Sequence, residues 1–181
     1  PSEHVKTNYS NFGFPVDKIH VIPHPLNSDF LVEHESDFSE PYRLLYVGYL
    51  QKQKGVEKLV PVLAGLREQL DQKSRLTIIG NGGLRSAIID QAREYDIQDA
   101  VDIRGFVPNK QLPSVYSSHD MFVYPGIWEE PLARVYLEAL AAGLPVVTSE
   151  YGSVESIVGD GGVTTDGSVS AFISTIGDLI K

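Results

Sequence analysis

Short runs rich in valine and isoleucine alternate along this chain with stretches whose apolar residues recur at helical spacing. That alternation constrains the fold more than any other feature. The runs at 19–22, 43–48, 75–80, 101–104, 121–124 and 145–149 are short and mostly apolar, as strands buried on both faces of a parallel sheet should be. Between them Val56, Leu59, Val60, Leu63 and Leu70 form one helical stripe, and Leu84, Ala87, Ile88 and Ala92 form another. Val169, Phe172, Ile173, Ile176 and Ile180 form a last one. Pro61 falls inside the first stripe and predicts either a kink or a later helix start. Repetition of strand and helix at this spacing predicts an α/β fold, a doubly wound, Rossmann-like parallel sheet with right-handed crossovers. Ligands of such sheets bind beyond the carboxyl ends of the strands. The stretch 33–41, Glu-His-Glu-Ser-Asp-Phe-Ser-Glu-Pro, reads as a polar, acidic connector.

The most informative single segment follows the run at 121–124. Glu130 and Glu138 stand eight residues apart and bracket Pro131-Leu132-Ala133-Arg134-Val135-Tyr136-Leu137, a loop followed by the start of a small-residue helix. A helix N-terminus presents unpaired N–H groups and the positive end of the helix dipole, which makes it a seat for phosphate. Arg134 in the first turn adds a full positive charge. A carboxylate accepts two hydrogen bonds from a vicinal diol, so an acid on each side of a bound diphosphate suits a ribose at one end and a sugar at the other. Val135, Leu137, Ala139 and Leu140 are apolar, so Glu138 lies on a largely buried helix and needs a partner. A bound ligand is one such partner.

These residues resemble the E-x7-E motif of the retaining glycosyltransferases of family 4, which have the GT-B fold. Glu130-Pro131-Leu132-Ala133-Arg134-Val135 is similar to a common variant of it, with Leu132 and Ala133 standing where that variant has Phe and Gly. Leu45-Tyr46-Val47-Gly48 and Lys54-Gly55 resemble the family's first strand and phosphate loop, and Tyr49 stands where the family usually places Arg. Ile78-Ile79-Gly80-Asn81-Gly82 and Gly105-Phe106-Val107-Pro108 resemble its later nucleotide-side loops. The resemblance covers nearly the whole chain but only the C-terminal, donor-binding half of the usual enzyme. It implies a nucleoside diphosphate sugar as donor substrate and transfer of a hexosyl group to a hydroxyl of a carbohydrate, lipid or small molecule. It also implies an acceptor site in an N-terminal domain absent from residues 1–181. In residue roles, it implies that Glu138 holds the ribose hydroxyls and Glu130 orients the sugar. Lys54, Arg134 and the backbone of Leu132, Ala133, Arg134 and Val135 would stabilise the departing diphosphate. The loops at Gly48 and Gly80 would approach the nucleotide, and Val107 would contact the base through its backbone.

Composition is compatible with that expectation. A chain of 181 residues can bury roughly 70% of its unfolded surface, which predicts one compact domain. The absence of cysteine removes disulfides and thiolate metal sites and is compatible with a cytoplasmic location. A net charge of −9 argues against a nucleic-acid or anionic-membrane surface, either of which needs clustered Lys and Arg. The only methionine is Met121, which reads as a fragment or processed product. No cofactor or metal is expected: the five histidines, His4, His20, His24, His34 and His119, share no ligand spacing, and no Asp-x-Asp motif occurs to anchor a metal diphosphate. The glycines of Gly80-Asn81-Gly82-Gly83 invite a dinucleotide reading, but their spacing is not G-x-G-x-x-G and they follow a later strand. Two further readings stay open: a sugar-nucleotide epimerase or phosphorylase of related architecture, and a non-catalytic nucleotide-sugar-binding module.

Overall fold

The computed structural model describes the chain except residues 1, 23, 35–38, 72, 130–132, 153 and 181. Among the described residues the strands are β1 (Tyr42–Val47), β2 (Ser74–Ile79), β3 (Val101–Gly105), β4 (Met121–Tyr124), β5 (Val146–Ser149) and β6 (Gly162–Thr165). The helices are α1 (Glu3–Asn11), α2 (Leu59–Gln69), α3 (Arg85–Glu94), α4 (Leu112–Ser117), α5 (Arg134–Ala141), α6 (Val154–Val158) and α7 (Val169–Ile180). All strand pairs are parallel, and the sheet order is β3-β2-β1-β4-β5-β6. This is the doubly wound α/β architecture, and its order reverses between β1 and β4, the place where such sheets open a ligand crevice.

The sheet is central because its strands carry apolar residues on both faces. Leu44, Leu45, Tyr46, Phe122, Val146 and Val147 are almost wholly buried. Helix α2 packs on α7, α4 on α5, and α5 on α6. The α2–α7 contact depends on small residues, since a Cβ added at Gly65 would stand 2.3 Å from Ile173 Cδ1. Pro61 neither breaks nor kinks α2. The helix begins at Leu59 after a 3-10 turn over Val56–Lys58, so Pro61 occupies the first turn, where a backbone N–H has no intrahelical partner to lose.

Two expectations fail. Residues 19–22 form no strand: Ile22 is exposed, and an apolar run without a neighbouring strand has nothing to pair with. The sixth strand is instead β6, which pairs with β5 over Val146↔Gly162 to Ser149↔Thr165. It begins at a glycine and is only partly buried, so it has neither the continuous apolar run nor the clean alternation that marks a strand.

At the amino ends of β1 and β4 sits a buried charge. Asp120, 1% exposed, accepts from the Arg43 backbone N–H at 2.7 Å, from its Nε at 3.0 Å and from its Nη2 at 2.6 Å. Next to it His119 is buried. Its Nδ1 lies 2.6 Å from the Val115 carbonyl oxygen, which can only accept, so Nδ1 holds the proton and Nε2 accepts from Thr77 Oγ1 at 2.8 Å. Burial pushes its pKa below the usual histidine value. That neutral, satisfied ring is a structural histidine.

Candidate functional site

The carboxyl ends of β1, β2 and β3 are drawn together by glycine backbone. Gly48 N–H donates to Ile79 O at 2.9 Å, Gly80 N–H to Gly105 O at 2.8 Å, and Leu50 N–H to Asn81 O at 2.9 Å. Gly80 adopts φ +138° with the Gly48 carbonyl oxygen 1.8 Å from where a Cβ would stand, so no other residue fits there. Val47, Gly48, Gly80, Asn81, Phe106 and Val107 are among the residues that line the cavity formed by these ends, about 230 Å³ in volume. Tyr49 and Phe106 project at its mouth, 68% and 75% exposed. Gly48, Gly80 and Val107 are therefore brought together in the lining of one cavity. A larger hollow of about 330 Å³ opens at the amino ends of β5 and β6. It is lined by apolar residues and glycines, with Asp160 as its one ionisable side chain, and offers no cation for a diphosphate.

Across the switch point, the Lys54 loop is fastened to the loop after β4. Ile127 N–H donates to Gln53 O at 3.0 Å, and Gly55, at φ +66°, presses against Pro125, whose carbonyl oxygen would stand 1.7 Å from an added Cβ. Lys54 is half-buried and sits between those two contacts in sequence. Helix α5 starts from Ala133, whose φ of −81° and ψ of 114° any residue adopts, so the alanine that replaces the family's glycine is unstrained. Arg134 is the first residue of α5 and exposed, and Val135 follows it half-buried. Glu130 and Leu132, predicted to orient the sugar and to offer an amide, lie outside the described residues.

Glu138 is 5% exposed on α5. Among the described residues its partner is Tyr116 of α4, whose hydroxyl donates to Glu138 Oε2 at 3.1 Å. Burial raises the carboxyl pKa above the usual glutamate value, opposed by the Tyr116 hydrogen bond and the Arg134 charge. Tyr116, wholly buried, is raised well above the usual tyrosine value, first by desolvation and then by the Glu138 charge. The sequence shows that Glu138 needs a partner; that the partner is a tyrosine 22 residues earlier is a tertiary fact. A second group missed in the sequence is His4 of α1, whose Nε2 lies 3.3 Å from Glu129 Oε2 and 3.1 Å from Asn8 Nδ2. That contact brings α1 against the loop leading to α5.

The loop after β4 thus lies between the Lys54 loop, to which it is fastened, and α5, whose first residue is Arg134 and which carries the buried Glu138 one turn further on. Among the described residues, no helix is long and apolar enough to cross a membrane. A family described as glycosyl transferases group 1 matches residues 29–181. An uncharacterized glycosyltransferase of Methanocaldococcus jannaschii is 32% identical over 161 residues, covering 82% of this chain and 40% of that protein. Glycogen synthase of Mycobacterium tuberculosis is 37% identical over 121 residues, 67% of this chain and 29% of its own. Among solved structures, the Anabaena protein HepE in complex with UDP and glucose superposes with a TM-score of 0.83 at 20% identity, covering 99% of this chain and 52% of that one. The chain thus spans about half, or less, of the length of these proteins.

Proposed function

The chain belongs to the group 1 glycosyl transferases, and from that premise we propose that it binds a nucleoside diphosphate sugar and serves as the donor half of a retaining hexosyltransferase. The observation that carries this reading is the convergence at the β1/β4 switch point. The Lys54 loop is fastened to residues 125–127 of the loop after β4, and the helix that follows that loop opens on Arg134 and holds the buried Glu138. In the proposed roles, the ribose hydroxyls donate to Glu138 and the base enters the cavity beside Gly48, Gly80 and Val107. Glu130 orients the sugar. Lys54, Arg134 and the backbone amides of Leu132, Ala133, Arg134 and Val135 take up charge on the leaving diphosphate as the glycosidic bond breaks. The absence of an Asp-x-Asp motif supports a site that neutralises the diphosphate without metal or cofactor, and the cysteine-free composition is compatible with a cytoplasmic enzyme. Similarity to a protein in complex with UDP and glucose supports the donor class.

Residues 1–181 are expected to bind UDP, GDP or ADP, or the corresponding sugar, with equal affinity in Mg2+ and in EDTA. They are expected to transfer no sugar alone, because holding donor and acceptor together supplies about 7–11 kcal/mol of barrier reduction and the acceptor wall is proposed to belong to a further domain. Isothermal titration in both buffers, followed by a radiolabelled transfer assay, checks this. A strict metal requirement overturns the cationic seat, and turnover by these residues alone overturns the half-enzyme reading.

Glu138→Gln keeps the shape of the side chain and removes its charge. It should weaken nucleotide binding by about 1–3 kcal/mol, whereas Glu130→Gln should spare UDP or GDP and weaken only the sugar-bearing ligand. Titration of each variant with nucleotide and with nucleotide-sugar separates the roles, and equal losses toward the free nucleotide would contradict them.

A further inference from the structure

We propose that Tyr116 is the positioning residue of the donor site, its hydroxyl fixing the Glu138 carboxylate so that the remaining acceptor positions of that group meet the ribose diol. This rests on the donor-binding reading above. Tyr116 belongs to α4, not to the segment that carries the paired acids, and it touches the proposed ligand only through Glu138. Its ring has no freedom. It is fully buried, edge-on to Phe30 at 5.8 Å and tilted against Phe122 at 5.9 Å, so the hydroxyl can be aimed from a rigid base.

The choice of partner is what points beyond structure. A buried phenol needs an acceptor, and a backbone carbonyl serves at no electrostatic cost. Tyr136, one helix over, meets that need with the neutral Thr148 hydroxyl at 3.0 Å. Tyr116 instead uses a carboxylate that is itself 5% exposed, which forces a charge into a desolvated place. A charged acceptor held there is worth its cost where it has further hydrogen bonds to accept. The Tyr116 hydroxyl occupies one position on Oε2, while an ionised carboxylate offers about four, which leaves enough for two ribose hydroxyls. The same hydrogen bond favours the ionised carboxyl against the burial that opposes it, and a protonated Glu138 accepts poorly.

The test compares UDP, GDP and ADP with their 2′,3′-dideoxy forms by isothermal titration of the wild-type chain, Tyr116→Phe, Glu138→Asp, Glu138→Gln and the double variant Tyr116→Phe/Glu138→Gln. The wild type is expected to prefer the ribose form. Tyr116→Phe should lose about tenfold toward it while the dideoxy affinity stays as in the wild type, a selectivity that mere loosening of the core does not produce. Glu138→Asp keeps the charge but withdraws it from Tyr116 and should show the same selective loss, so the proposal remains testable where Tyr116→Phe does not fold. In the Glu138→Gln background the tyrosine substitution should add nothing. Equal losses for ribose and dideoxy nucleotides, no loss at all, or additive losses in the double variant overturn the positioning role while leaving donor binding intact. Failure of the wild type to bind any of the nucleotides overturns both.

Discussion

Gly80→Ala is expected to lower the unfolding free energy by about 3–5 kcal/mol, the sum of a side chain forced into a backbone region reserved for glycine and of overpacking. At φ +138° the new Cβ would stand 1.8 Å from the Gly48 carbonyl oxygen. That oxygen is main chain, so relief requires the loop after β1 to move as a whole. The Gly48–Ile79 and Gly80–Gly105 hydrogen bonds that hold the three strand ends together would be strained with it, and the cavity proposed for the base would lose its shape. Nucleotide affinity should therefore fall together with stability. Gly83→Ala is the control, because nothing lies within 4 Å of its Cβ and its effect should stay within about 0.5 kcal/mol. Urea unfolding of both variants decides the matter: similar midpoints for the two would refute the close approach of the loops.

That the glycines matter is legible in the sequence, because they follow predicted strands; why each matters is not. Gly48, Gly80 and Gly105 look alike in the chain, yet only the register of β1, β2 and β3 places the Gly48 carbonyl against Gly80. Apolar content was the reliable signal. β1, β2, β3 and β5 carry enough valine, isoleucine and leucine to be read directly, and β4 is apolar throughout as Met-Phe-Val-Tyr, whereas β6 opens on Gly162 and offers only Val163 and two threonines, so its strand character comes from pairing with β5. Residues 19–22 are the converse. Their apolar run meets no neighbour and stays irregular. In the site, the positions of Arg134 and Glu138 on one helix follow from their spacing, but the acceptors and donors that complete it come from distant elements. Tyr116 is fixed by the packing of α4 on α5, and the Lys54 loop reaches the loop after β4 through Gly55 and Pro125. Sequence spacing has no access to either contact.

The crevice itself depends on a clamp at the opposite end of the sheet. β1 and β4, between which the strand order reverses, pair through Leu44↔Met121 and Leu45↔Phe122, a short ladder at the place where the crevice opens. A short ladder needs another tie, and Asp120 provides it. Its N–H donates to the Arg43 carbonyl at 2.8 Å, and its buried carboxylate accepts from the Arg43 N–H and from two guanidinium nitrogens. Asp120→Ala removes all the side-chain bonds at once. Because the Arg43 side chain remains 43% exposed, its cation can turn to water, and the loss should fall at about 2–4 kcal/mol, near the range for charged hydrogen bonds and below that for a stranded buried charge. Asp120→Asn retains one acceptor and should lose less. Both variants should also bind nucleotide more weakly, since β1 leads to the Gly48 loop and β4 to the loop before α5, and any slip between the strands separates the two halves of the seat. Chemical denaturation together with nucleotide titration checks the coupling. A variant that loses stability while keeping wild-type affinity would show that the two strand ends are held together by the Gln53–Ile127 and Gly55–Pro125 contacts alone.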